Sequence, residues 1–567
     1  MSKRIIVGIL AMGLTLQAAI SQSYNSHSQL TARLKSLTAK HAAISSVKSI
    51  GKSAGGRDLW ALTISDGNAS QKTGILVVAG IDGTHLAGTE IALLMAEKML
   101  ANAGTDSVAK LLKTKTFYFV PSVNPDAQAQ YDAKPRYERN GNDTPTDDDR
   151  DGRTNEDPAE DLNGDGLISQ LRIEDPTGTF VVSKDDPRLM VKADPTKGEV
   201  GKYIVVTEGF DNDNDGQFNE DGAGGVNIDK NFSFDYPIFV LGSGEYAASE
   251  TEVRALMDFV FQNKNIHSIV TFGPANNLTE APKFDPTRAL KKIPTSALTK
   301  DASVGEQIGK LYNDKTGLKD APTLPQTRGN FAQTAYYHAG RYSFTTPGWW
   351  VPKTEAPKDT TKKAPDAAKS TAAGARAAIP PMTPARPAGD DELKLLKWAD
   401  SQKMTDVALK WTDVKMADYP NQKAEVGGIV PFAKLNPPVA LLPETADKHV
   451  AFLSALANQM PDVQILNLKT EALGTGLTRV IATVVNKGLL PTYAEMGDRI
   501  PYVEKVKVEI KLGTGQQIVA GKRLNLRPTM VAGEAQEFVW LISGTGKITL
   551  EAGCATTGKK TVEVTLK

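Results

Sequence analysis

Three short loops place oxygen-bearing side chains at the spacing that wraps a hard cation. They carry Asp147, Asp149 and Asp151, then Asp161, Asn163 and Asp165, then Asp211, Asp213 and Asp215 at positions one, three and five. Glycine stands at position six of each, as Gly152, Gly166 and Gly216. Odd positions point inward and the glycine closes the turn, so the expected ion is calcium. Ile168 supplies an apolar eighth position in the second loop. No loop has glutamate at position twelve, so shared ions or backbone carbonyls would have to complete the shells. Ten carboxylates face two arginines between Asn142 and Gly166, an imbalance that calls for a counter-ion or water.

The rest of the chain bounds the function. At 567 residues it exceeds one ordinary core, so at least two domains are expected. Lys plus Arg number 66 and Asp plus Glu 66, which gives no field favouring nucleic acid or an anionic membrane. Lys3 and Arg4 precede an apolar run to Ile20, and Ser21 ends a small-residue cleavage site. Residues 1–21 therefore read as a secretory signal, with no transmembrane anchor left after its removal. Cys554 stands alone, so no internal disulfide forms, and bound calcium is an alternative source of stability. Signal without disulfide points to a bacterial periplasm or exterior.

Elements that would position a site alternate between strand and helix. Strands are predicted at 46–51, 58–65, 75–81, 117–121, 269–272 and 342–345, from apolar runs and period-two patterns. Helices are predicted near 88–102, 303–313, 391–411 and 444–458, and Ser249 with Glu252 reads as a capping box opening another. This order implies an α/β sheet with helices on both faces. Residues 352–391, rich in Ala, Pro, Lys and Thr, read as a disordered insert. From about 463 short strands and turns predict an immunoglobulin-like β-sandwich to 567.

Several blocks together resemble the carboxypeptidase A-like zinc peptidases, over roughly 45–460. They are Ser49 to Ser65, Gly80-Ile81-Asp82-Gly83, Pro121 to Asp126, Gly225 to Phe232 and Ser249 to Ala255. The resemblance implies a mixed, mainly parallel twisted sheet flanked by helices, in a domain of residues 28–460 with the acidic insert at 140–222. It implies a zinc site at the carboxyl ends of the strands. Asp82 stands where the family's first histidine is expected, and His85 where its glutamate is expected. Phe272 falls at the second histidine, and a phenyl ring cannot coordinate zinc. Asp229 and Lys230 match the pair that holds the peptide's terminal carboxylate. There lysine keeps the charge without the bidentate fork, and aspartate would repel a carboxylate. Arg139 matches the arginine that polarises the scissile carbonyl. For the general base two registers exist. One puts Pro347 there; the other, preferred because the last helix follows at a suitable distance, puts Glu425 there.

Two functions follow. One is a secreted metallocarboxypeptidase acting on peptide or cell-wall peptide C-termini through an altered zinc site. The other is a catalytically lapsed, calcium-stabilised envelope protein that binds a peptide or glycan.

Overall fold

The computed structural model describes residues 23–147, 158–212, 218, 225–322, 327–352 and 389–566. The leader, Asp149, Asp151, Asp213, Asp215 and nearly all of the 352–391 insert lie outside the described residues.

A nearly continuous apolar run forms a strand covered on both faces. Thr73–Val78 is such a run, buried at every residue. It sits inside a six-stranded mixed sheet with the order Ser45–Lys52, Asp58–Ile64, Lys115–Val120, Thr73–Val78, Ile266–Phe272, Tyr342–Thr346. The last four are mutually parallel and the first two antiparallel. One face packs on Leu30, Ile91, Met95, Ile308 and Phe452, the other on Val253, Leu256, Phe331 and Phe232. Helices therefore cover both faces, as the alternating pattern predicts. The helix after the Thr73–Val78 strand spans Leu86–Ala101 and is buried along most of its length.

Two sequence-based expectations fail locally. Ser249 and Glu252 form no capping box: Glu250 is the N-cap, and no side chain caps the helix Thr251–Gln262. Their side chains are drawn elsewhere. Ser249 accepts from Asn231, and Glu252 accepts from the Ala54 amide and from Asn142. The helix predicted over 391–411 stops early, spanning Asp390–Ser401, and Ala408–Val414 is a strand.

That strand belongs to a second sheet which sequence reading missed. Its order is Ala408–Val414, Ala424–Ile429, Gln170–Glu174, Tyr203–Thr207, Phe180–Val182, Met190–Lys192. The acidic insert and the segment after residue 389 thus meet in one antiparallel sheet, with Leu171 opposite Val426. Leu171, Ile173, Val206 and Val426 make its core.

Residues from Val463 form two four-stranded sheets packed around Val480, Trp540, Ile548 and Leu550. This part is bonded to the first. Asp301 accepts from the Glu495 and Met496 amides, and His267 donates to the Pro491 carbonyl at 2.8 Å. Within the first part, His449 donates to the Gly348 carbonyl at 2.8 Å.

Burial holds His267 neutral, its pKa lowered to about 3, and His449 likewise, to about 4. The unfolded chain takes up protons near pH 6.5 that the fold refuses until pH 3–4. Each imidazole therefore contributes stability above the unfolded value and loses it as pH falls. By pH 5 the loss is about 2 kcal/mol per histidine. Asp229 and Asp301, raised by burial to about 7 and about 6, act in the opposite sense. The clean readout is thus a difference. Denaturant titrations from pH 7 to pH 5 are expected to show the wild type losing stability relative to a His267→Asn/His449→Gln variant; parallel pH curves would contradict the assignment.

Candidate functional site

Four parallel strands end at the same edge, and the loops leaving them carry the candidate residues. After Val78 the chain turns through Gly80 to His85. Asp82 closes this turn: its Oδ1 accepts from the Thr84 amide at 2.8 Å and the Thr84 hydroxyl at 2.7 Å. Asn436 then holds the helix start, accepting from the Ala87 amide and donating to the Thr84 carbonyl.

His85 stands at the N-cap but does not cap the helix. Its ring is buried to 1% exposure, and Nε2 donates to the Pro347 carbonyl at 3.0 Å. Burial pushes the imidazole below its ordinary pKa, against the pull of Asp82. Pro347 follows the strand Tyr342–Thr346 directly. The register that sets Pro347 at the family's base position is therefore the one that lies on the main sheet.

Phe272 ends its strand at 1% exposure. Its ring meets His449 edge-on at 5.0 Å between centroids. Gly88 and Gly348 are small to make room for it. A Cβ on Gly88 would approach the Phe272 Cβ to 2.9 Å, and one on Gly348 would approach the Phe272 ring to 2.9 Å.

Arg139 lies beside the same turn through its backbone. Asn140 accepts from the Gly83 amide at 3.0 Å, and a Cβ on Gly83 would strike the Arg139 carbonyl at 2.7 Å. The Arg139 guanidinium, however, is turned to Asp143 at 2.6 Å and to the Asn142 carbonyl. Asp143 also pairs with Arg57 at 2.8 Å, and the two guanidiniums together hold its carboxyl below the usual range despite partial burial.

Asp229 and Lys230 part company. Lys230 donates to the Leu241 carbonyl at 3.2 Å. Asp229 instead accepts from the Phe331 amide at 3.1 Å and from the Thr327 hydroxyl at 3.2 Å. It shares a cavity of about 30 Å³ with Asp82, Thr271, Phe272 and Asn330. Burial, opposed by the Phe331 amide and reinforced by the Asp82 charge, pushes the Asp229 carboxyl up to about 7.

Glu425 corrects the preferred register for the base. It lies on the second sheet, opposite Arg172, not on the sheet that carries Asp82. Arg172 holds one oxygen at 2.7 Å and Lys423 the other at 2.9 Å. The carboxylate is consumed by structural ion pairs. The spacing to the last helix, which suggested it, arises because the insert sheet lies between.

Of the acidic loops, Asp161–Gly166 is described whole. Its oxygens bind the loop's own amides: Asp161 accepts from Gly164 and Gly166, Asn163 from Asp165, and Asp165 from Leu167. Glu208 stands behind it, accepting from Leu162 and Ser169. Asp147 and Asp211 are described without the rest of their loops.

The residues at the strand ends do not fit a zinc centre. Zinc takes three protein nitrogen or carboxylate ligands with an open fourth position. Here Asp82 Oδ1 and His85 Nε2 are engaged, which leaves Oδ2 and Nδ1 as two possible ligand atoms, and the third position is a phenyl ring. Among the described residues no group of three or more His, Cys, Asp and Glu is placed to hold a metal ion.

A family model described as zinc carboxypeptidase matches residues 30–349, more than half of the chain, and the chain belongs to that family. Residues 462–565 match a domain of unknown function. Carboxypeptidase M of Mus musculus is 29% identical over 127 residues, which is 22% of this chain and 28% of the mouse protein. Carboxypeptidase D of Drosophila melanogaster is 33% identical over 97 residues, covering 16% of this chain and 7% of the fly protein. The chain thus spans well under a third of those relatives. Bovine thrombin-activatable fibrinolysis inhibitor, solved with a tick carboxypeptidase inhibitor, aligns at 15% identity over 57% of this chain and 85% of its own, with a TM-score of 0.37. Carboxypeptidase A of Helicoverpa armigera aligns at 15% identity over 57% and 64%, with a TM-score of 0.35. No helix among the described residues is long and apolar enough to cross a membrane.

Proposed function

We propose that this chain is a secreted, calcium-stabilised member of the zinc carboxypeptidase family that binds the end of a peptide or cell-wall stem peptide without hydrolysing it. One observation carries this reading. The position at the end of the Ile266–Phe272 strand is filled by a buried phenyl ring packed against Gly88, Gly348 and His449. Groups around a metal site orient its ligands and do not replace a missing one. Arg139, turned to Asp143, and Glu425, paired on another sheet, add no catalytic group. The leader directs the chain to a bacterial periplasm or exterior, where peptide ends of the cell wall are available. Its balanced charge fits neither nucleic acid nor an anionic membrane as partner.

Calcium is the structural ion in this reading, held by the acidic loops around Asp147, Asp161 and Asp211. A ligand bound only by the folded chain stabilises it by about 2.7 kcal/mol at a hundredfold excess over its Kd. Thermal unfolding is therefore expected to shift upward by several degrees on adding calcium to chelator-treated protein, with no shift from magnesium. An unchanged midpoint would remove calcium from the account.

The function is tested by fluorescence anisotropy of labelled stem-type peptides, with mass spectrometry of the same samples after long incubation with zinc. Saturable binding with intact peptide is expected. Loss of the C-terminal residue would overturn the reading.

A further inference from the structure

From the cavity at the strand ends, we infer that its ligand presents an organic cation, an ammonium group, rather than a terminal carboxylate. This inference rests on the non-hydrolytic reading above and names the chemistry that the same site recognises.

The cavity is lined by Asp82 and Asp229, and no Lys, Arg or His lines it among the described residues. The nearest cation in sequence, Lys230, is committed to the Leu241 carbonyl. Both hydrogen bonds of Asp82 fall on Oδ1, which leaves Oδ2 for a donor. Asp229 keeps lone pairs beyond the Phe331 amide and the Thr327 hydroxyl. A second feature points to a bound donor. Thr271 lines the same cavity at 6% exposure, and its Oγ1 is buried without a hydrogen-bond partner. A buried hydroxyl without a hydrogen-bond partner is costly, so a ligand that donates to it is favoured.

Size agrees with charge. A cavity of about 30 Å³ has room for a small head group. An ammonium carries three donors and no acceptor. It would supply one donor each to Asp82, Asp229 and Thr271. A carboxylate has only acceptors, and two carboxylates already face it.

The ammonium has two sources: the amino end of a peptide or a lysine-type side chain. Titration calorimetry with n-butylammonium, butyrate, trialanine amide, its N-acetylated form and Nα-acetyl-lysine amide separates them. Butylammonium is expected to bind and butyrate not to bind. Binding of trialanine amide lost on acetylation assigns the amino end; binding of the lysine amide assigns the side chain. Asp229→Asn is expected to weaken butylammonium by about 10- to 100-fold, the range of a hydrogen bond to a charged group. Asp82→Asn serves as the second variant, and the melting curve of each checks that it folds. Equal or tighter binding of butyrate, or unchanged butylammonium affinity in both folded variants, would overturn the inference. Release of a C-terminal residue from the peptide arms would instead overturn the non-hydrolytic reading.

Discussion

Phe272→Ala will lower the free energy of unfolding by about 3–5 kcal/mol, the range for a phenylalanine deleted from a packed core. The ring is 1% exposed, lies against Ile91 and two glycines, and meets His449 edge-on. Neither glycine has a side chain that could move into the space. Phe272→Leu keeps most of the volume and is expected to cost less than half as much. Urea or guanidinium titrations with an unchanged slope give both values. A near-neutral Phe272→Ala would mean that the position is free of the core and open to a ligand, contrary to the proposed function.

Asp126→Ala is the second large effect, about 3 kcal/mol or more, because four donors lose one buried, charged acceptor at once. Its side chain is fully buried. Oδ1 accepts from the buried Ser53 hydroxyl at 2.6 Å and from the half-buried Arg57 at 2.7 Å, and Oδ2 from the exposed Gly55 amide at 2.7 Å and the half-buried Asp143 amide at 3.3 Å. Asp143 in turn fixes Arg139, whose backbone packs on Gly83 beside Asp82. The expected readouts are a loss of stability and faster hydrogen exchange at the Gly55 and Asp143 amides. Exchange rates at both amides equal to wild type would sink the idea that this carboxylate braces the turn.

The main sheet was legible because its central strands are continuous apolar runs. Thr73–Val78 and Lys115–Val120 declare themselves by continuous burial, and the helix Leu86–Ala101 by its apolar stripe. The second sheet was not legible. Its strands are short, and the pairing that joins its two halves, Leu171 with Val426, spans more than two hundred residues. No local period reports such a partner. That omission misdirected the base: Glu425 has a suitable spacing to the last helix only if the intervening chain is ignored. Glu252 shows the same limit at a smaller scale. Its spacing from Ser249 matches a cap, yet Ala54 and Asn142, distant in sequence, claim the carboxylate. At the strand ends the turn at Asp82 was visible from the Gly80–His85 segment. The separation of Asp229 from Lys230 was not, because it depends on where the Leu241 carbonyl lies. Thr271 gave no signal in sequence; only its unpartnered hydroxyl in the cavity marks it.

A zinc ion needs three protein ligands, and the strand ends offer one carboxylate, one imidazole and a phenyl ring. Crystals grown in excess zinc, with anomalous differences collected across the zinc absorption edge, test this directly. The account predicts no anomalous peak within bonding distance of Asp82 or His85, with Phe272 still packed on His449. A peak there, coordinated by both side chains and a third nitrogen or carboxylate donor, would contradict it.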